Sequence, residues 1–433
     1  MRTSCFYSLL LLLFTAAATN ISAADLAFPG ALGWAAETRG GRGGDILRVT
    51  NLNASGPGSF AAAVNAKGPR IVVFEVGGVI DLGKQEIKIT EPFLTIGGQT
   101  APSPGITFIK GGFNITTHDV VIQHIRVRPG EAGAAKQSGW EPDGITAWSA
   151  HNIIVDHCSI TWAVDENLSA SGPRFDGGDT EADWRKATSY RVTFSNNLLA
   201  EGLSNSTHSK GEHSKGSLIH DNTSEILIVG NLYASNMERH PLLKGGGQVV
   251  VANNYIVNPG KRALHYSLNA EEWGEHRYVT GTLVAVGNVV KAGPSTVPDL
   301  AFLLLSGGGD LRLHQRDNLM TRGENSLPPL NRERFTGQLI ETPQAPIWPP
   351  SFTAKPASQT VAHVLSEAGA RPWDRDPIDA RIVAVARAGT GKIIDSEQEV
   401  GGYPKIQMTQ RRFDPSAWNL NDMTPRDAKV LRQ

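Results

Sequence analysis

The feature that most constrains this chain is an internal repeat. A nine-residue pattern recurs, in which a run of apolar residues turns a corner into a second short apolar run. Its copies are VVIQHIRVR from Val120, IIVDHCSIT from Ile153, VTFSNNLLA from Val192, ILIVGNLYA from Ile226, VVVANNYIV from Val249 and LVAVGNVVK from Leu283. Successive starts are 33, 39, 34, 23 and 34 residues apart. The step of 23 is the bare repeat, and the longer steps carry excursions. Such a unit cannot bury its apolar face alone, so copies must stack.

In a stack of parallel strands, equivalent positions form rows about 4.8 Å apart. The sixth position of the last four copies is Asn197, Asn231, Asn254 and Asn288. A short amide tolerates a left-handed corner and can hydrogen-bond to the next turn, which an aliphatic residue cannot. The spacing predicts an all-β chain wound as a parallel β-helix. The competing reading is an antiparallel sandwich in which the NN and GN pairs mark hairpins. It is disfavoured by the shared register and by the lack of hairpin spacing.

Upstream, Ser59 and the alanine-rich stretch to Gly68 predict a short helix that caps one end of the coil. The segment Gln359–Ala368 is expected to cap the other. Between Leu327 and Pro356 the chain is rich in proline and polar residues and reads as a wrapping or linking segment. The tail from Arg371 is charged and weakly periodic. The expected organisation is an export signal at 1–24, a β-helix at 25–325 and an extension at 326–433. Arg2, the apolar run Leu9–Ala18 and the small residues Ser22-Ala23-Ala24 have the order of a secretory signal. No later stretch reaches the roughly 20 apolar residues of a membrane span. A soluble secreted protein, extracellular or periplasmic, is therefore expected. Cys5 leaves with the signal, so Cys158 has no disulfide partner and a large core must stabilise the fold. A net charge of −1 argues against a general nucleic-acid or membrane-surface binder. The 46 glycines and 25 prolines fit a chain that turns often.

Loops leaving a few corners can gather distant residues on one outer face. Three clusters qualify. The first is Glu141-Pro142-Asp143-Gly144 with Asp156-His157 and Asp165-Glu166. It is oxygen-rich and thiol-free, as a calcium site is and a zinc site is not, although acidic loops are commonly just solvated. His157 reads as a structural corner histidine. The second is the loop His208–Gly216. Its Lys210 and Lys215 suit sugar carboxylates, or else form a plain polar loop. The third is Arg239-His240-Pro241-Leu242-Leu243-Lys244, whose two cations suit an anionic polymer, though a structural arginine also fits.

These residues resemble polysaccharide lyase family 1, the pectate lyases, from about Phe28 to at least Asn288. Ile153-Ile154-Val155-Asp156-His157 resembles the family's aspartate–histidine strand. Arg239-His240-Pro241 resembles its catalytic arginine-x-proline motif, with Lys244 where a second basic residue is usual. Phe28-Pro29-Gly30-Ala31, Arg39-Gly40-Gly41 and Val49-Thr50-Asn51-Leu52 resemble its bacterial and fungal branch.

The resemblance implies a right-handed coil and a calcium-dependent pectate lyase acting as a monomer on polygalacturonate by β-elimination. By the same likeness Asp143 and Asp165 bind Ca2+, with Glu141 as a second acid and Glu166 offsetting Thr161, which stands where some members place an acid. Lys215 matches the substrate-binding lysine, with Lys210 as competitor. Arg239 would take the C5 proton while Lys215 or Lys244 neutralises the uronate carboxylate. Free arginine has a pKa of about 12.5 or more, so this role predicts an alkaline optimum. The retained acids speak against a pectin lyase, while a lyase for alginate stays open. A hydrolase would need a free carboxylate pair. A non-catalytic binding β-helix would not need this combination.

Overall fold

The repeat winds as expected. In the computed structural model, which describes residues 26–432, Val120, Ile153, Val192, Ile226, Val249 and Leu283 stand in one row, each paired in parallel with the next. The row extends back to Leu94 and on to Leu313. Parallel pairing removes the hairpin alternative. The segment read as an export signal, including Cys5, lies outside the described residues.

Each turn visits three sheets in a fixed order. Among the described residues the first sheet has 11 strands, the second 11 and the third 9. One turn runs through His118–Gln123, Arg126–Arg128 and Ile145–Trp148, and the next begins at His151–Asp156. The coil is right-handed, the hand parallel crossovers almost always take.

The first two sheets meet at a two-residue corner where two tasks fall to adjacent residues. Asn196, Gly230, Asn253, Gly287 and Asp317 take the left-handed backbone. The asparagine after each makes the ladder. The Oδ1 of Asn231 accepts from the backbone N–H of Asn197 at 2.8 Å and from its Nδ2 at 3.0 Å, and the pattern repeats from Asn231 to Asn254, Asn254 to Asn288 and Asn288 to Asn318. The left-handed tolerance credited to the ladder asparagines thus belongs to the residue before each. Cys158, a buried free thiol, heads the ladder with its N–H on Asn197.

Inward residues such as Val155, Phe194, Ile228 and Val251 form one continuous core. Their outward neighbours are covered too. Leu227, Val250 and Val284 lie under Leu32, Trp34, Trp348 and Phe352, while Val121 and Ile154 lie under Phe28 and Ala31. Strands buried on both faces read as continuous apolar runs.

The N-terminal cap forms as Phe60–Val64, with Ser59 accepting from the N–H of Ala62. It closes at Asn65 rather than Gly68. The second expected cap is displaced. The helix Ala357–Glu367 lies on the flank, where Val364 and Leu365 pack on Leu198, Leu232 and Tyr255 of the second sheet. An apolar helical stripe goes where an uncovered apolar face exists, and the outward residues of the second sheet supply it. The coil also runs past 325, because Leu330–Glu333 and Leu339–Glu341 extend the third and first sheets.

The charged tail is an anchor. Arg128 meets Asp376 at 2.6 Å and Asp379 at 2.8 Å, and Arg126 meets Asp379 at 3.1 Å, all fully buried. Breaking one such buried pair typically costs about 3–5 kcal/mol. Beyond them Phe413, Trp418 and Met423 pack on Ile71 and Val73 of the first sheet. Among the described residues, no helix is long and apolar enough to cross a membrane.

Candidate active site

The excursions at 129–144, 162–167, 201–217 and 235–241 all join the second sheet to the third. Their last residues stack on one another. Glu166 bridges Lys215, and Lys215 bridges Glu238. The N–H of Gly144 donates to the carbonyl of Glu166, and that of Gly216 to the carbonyl of Glu238. Consecutive turns therefore present Asp143, Glu166, Lys215 and then Glu238-Arg239 along one edge. Glycine is required beside them. A Cβ on Gly144 would lie 2.3 Å from the carbonyl oxygen of Asn167, and one on Gly216 2.3 Å from that of Arg239.

Carboxylate oxygens of Asp143, Asp165 and Glu166 come within 4.8 Å of one another. Asp143 accepts from Thr146 Oγ1 at 2.5 Å and from the N–H of Glu166 at 3.0 Å. Burial and the charge of Asp165 push its pKa up to about 7. Burial also works to raise Asp165, but contact with His213 and the field of Arg239 bring it below the usual carboxylate range. Asp165 Oδ1 is buried without a hydrogen-bond partner. Crowded oxygens with an orphaned acceptor are a fitting donor set for a hard cation. Glu141 stands apart from the three. It accepts from the N–H of Ser209 at 2.8 Å and from its hydroxyl. Thr161 is fully buried in a second-sheet strand.

Arg239 pairs with Glu166. Its backbone is left-handed, with φ of 68°, a conformation rare for a non-glycine residue and concentrated at functional sites. The hydrogen bond from the N–H of Ser217 to its carbonyl, 2.6 Å, holds it there. Burial lowers the pKa of its guanidinium, while Asp165 and Asp143 oppose the fall.

The three lysines differ. Lys215 is buried and paired with Glu238, which also takes Arg262 at 2.8 Å. Burial works against the charge of Glu238, yet Lys215 and Arg262 hold its pKa at about 2. Lys244 ends the third-sheet strand Leu242–Lys244, beside Asp221, 3.4 Å away, and Glu272. Lys210 is exposed in its loop. His157 is a corner residue, as read, with Nδ1 2.7 Å from Asp156.

Sequence reasoning missed Glu238, the counter-ion of Lys215, and it missed the approach of His208 and His213 to Asp165, 3.6 and 3.4 Å away. Glu238 precedes the arginine motif directly. That adjacency was the one available signal.

No family model matches the sequence. A probable pectate lyase C of Emericella nidulans is 31% identical over 406 residues, 92% of this chain and 85% of that protein. One from Aspergillus terreus is 31% identical over 391 residues, 87% of this chain and 81% of that protein. The crystal structure of Jun a 1, the major allergen from cedar pollen, shares the fold with a TM-score of 0.50 at 16% identity, covering 78% of this chain and 92% of that one. With likeness of this extent on a coil that gathers three acids and an arginine at one edge, the chain belongs to the pectate lyase family.

Proposed function

We propose that this chain is an exported, calcium-dependent pectate lyase that cleaves α-1,4-polygalacturonate by β-elimination, leaving 4,5-unsaturated ends. One observation carries the reading: a partly buried arginine, left-handed in its backbone and lowered in pKa, stands beside three converging carboxylates. The fungal relatives, each a probable pectate lyase, support it.

Asp143, Asp165 and Glu166 would hold Ca2+, and its charge would make the C5–H of a bound uronate more acidic. Glu166, shared with Arg239, keeps the guanidinium next to that position. Arg239 takes the C5 proton in its neutral form, the form that burial favours. The electrons of the C5–H bond form the C4–C5 double bond, and the C4–O bond breaks with the leaving oxygen protonated from solvent. Lys215 and Lys244 bind sugar carboxylates by exchanging Glu238 and Glu272 for them, and Lys210 reaches the polymer from the loop above.

The test follows ultraviolet absorbance of the unsaturated product on polygalacturonate, with and without a calcium chelator, for wild type and Arg239→Lys. Absorbance that rises only with calcium and falls at least about a hundredfold in the variant is expected. Near-full turnover by Arg239→Lys would remove the assigned base. Reducing ends without absorbance would indicate hydrolysis instead.

A further inference from the structure

We propose that Asp165, His208 and His213 form a second metal site, one that takes a first-row transition ion such as Zn2+ or Co2+ in preference to Ca2+. The inference shares Asp165 with the calcium reading but does not depend on it. The three side chains offer ligand atoms within 4.8 Å of one another. His208 and His213 come from the excursion at 201–217, and Asp165 from the turn beneath it.

Two other histidine–aspartate pairs are hydrogen-bonded, with His157 2.7 Å from Asp156 and His118 2.9 Å from Asp119, while His220 stands 3.7 Å from Asp221. Charge-assisted bonds of this kind normally span about 2.7–2.9 Å. Asp165 is instead 3.4 Å from Nε2 of His213 and 3.6 Å from Nε2 of His208. Ligands bound at about 2.0–2.2 Å around a tetrahedral ion stand roughly 3.3–3.6 Å apart. The observed spacings match that edge.

Nδ1 of His213 is 3.0 Å from the carbonyl oxygen of Glu212, which can only accept. Nδ1 therefore carries a proton, and in the neutral imidazole, the form that binds a metal, Nε2 presents its lone pair to the carboxylate. Asp165 Oδ1, buried and without a hydrogen-bond partner, faces it in return. Two lone pairs facing each other repel unless a proton on Nε2 or a metal ion lies between them. Nδ1 of His208 accepts the N–H of Lys210 at 3.1 Å and lies 3.4 Å from Glu141. The neutral ring then carries its proton on Nε2, and binding a metal ion there releases it. Imidazole donors suit zinc, cobalt or nickel, whereas calcium prefers oxygen alone. The two rings stack with centroids 3.3 Å apart. A bound ion lies near the plane of each ring, so loading parts the stack.

The full chain, stripped of metal, is titrated with Co2+ and followed by its visible d–d absorption, to which Ca2+ contributes nothing. A band of four-coordinate intensity is expected. His208→Gln and His213→Gln, each checked for folding by circular dichroism, should lose it and weaken Co2+ binding at least about tenfold. Asp143→Asn should keep the band even where it abolishes calcium-dependent turnover, so the two readings fail separately. A wild type that binds no Co2+, or folded histidine variants that bind it unchanged, would overturn the proposal.

Discussion

Replacing Glu238 by Gln should destabilise the protein in a way that depends on pH. The carboxylate lies between Lys215 and Arg262, and its pKa falls from 4.5 to about 2 on folding. For an acid lowered on folding, the stabilisation is full above the unfolded pKa and is lost as pH falls through the folded one. At 1.4 kcal/mol per tenfold, the fall is worth about 3 kcal/mol at pH 7 and roughly 1.4 kcal/mol at pH 3. A side chain only 12% exposed loses little of this to solvent screening. Denaturant unfolding of wild type and Glu238→Gln at both pH values measures the difference. The same variant frees Lys215 and Arg262 from their counter-ion, so KM for polygalacturonate should fall. A destabilisation equal at pH 7 and pH 3 would mean that packing, not charge, is what Glu238 supplies, and the electrostatic argument would be wrong.

Two further outcomes follow from the same geometry. Asn254→Ala strips the N–H of Asn231 and the Nδ2 of Asn231 of an acceptor inside a dry corner, and it should cost about 3–5 kcal/mol. Asn318→Ala, at the partly exposed end of the ladder, should cost less than half of that by the same unfolding measurement. Calcium should raise the thermal midpoint more at pH 8 than at pH 6. Asp143 is raised to about 7 on folding, so without metal its contribution to stability falls as pH rises from its unfolded value to about 7. Below that point a proton already occupies the carboxylate and calcium must displace it. Calorimetry with calcium and with chelator reads the difference, and an equal shift at both pH values would contradict it.

The coil was legible because its instructions are repeated. Six copies of one pattern stated the register, and the pairing of Val120 through Leu283 follows it residue for residue. Asn318 continues the ladder from a sixth position, HQRDNLM, too polar to resemble the other copies. The arginine motif and the acids Asp143, Asp165 and Glu166 were legible as residue types, and the fold brings them together.

What tertiary structure alone decided are the pairings between turns. Lys215 could not be seen to face Glu238, nor the helix Ala357–Glu367 to lie on the flank rather than the end. Nothing local links His208 and His213 to Asp165, since the contact depends on how a long excursion folds back over the turn below. Sequence by itself determined the stack, because periodic burial and corner chemistry are satisfied one turn at a time. The site's charge partners were left to the fold, because loops of unequal length meet only once the coil has set their heights.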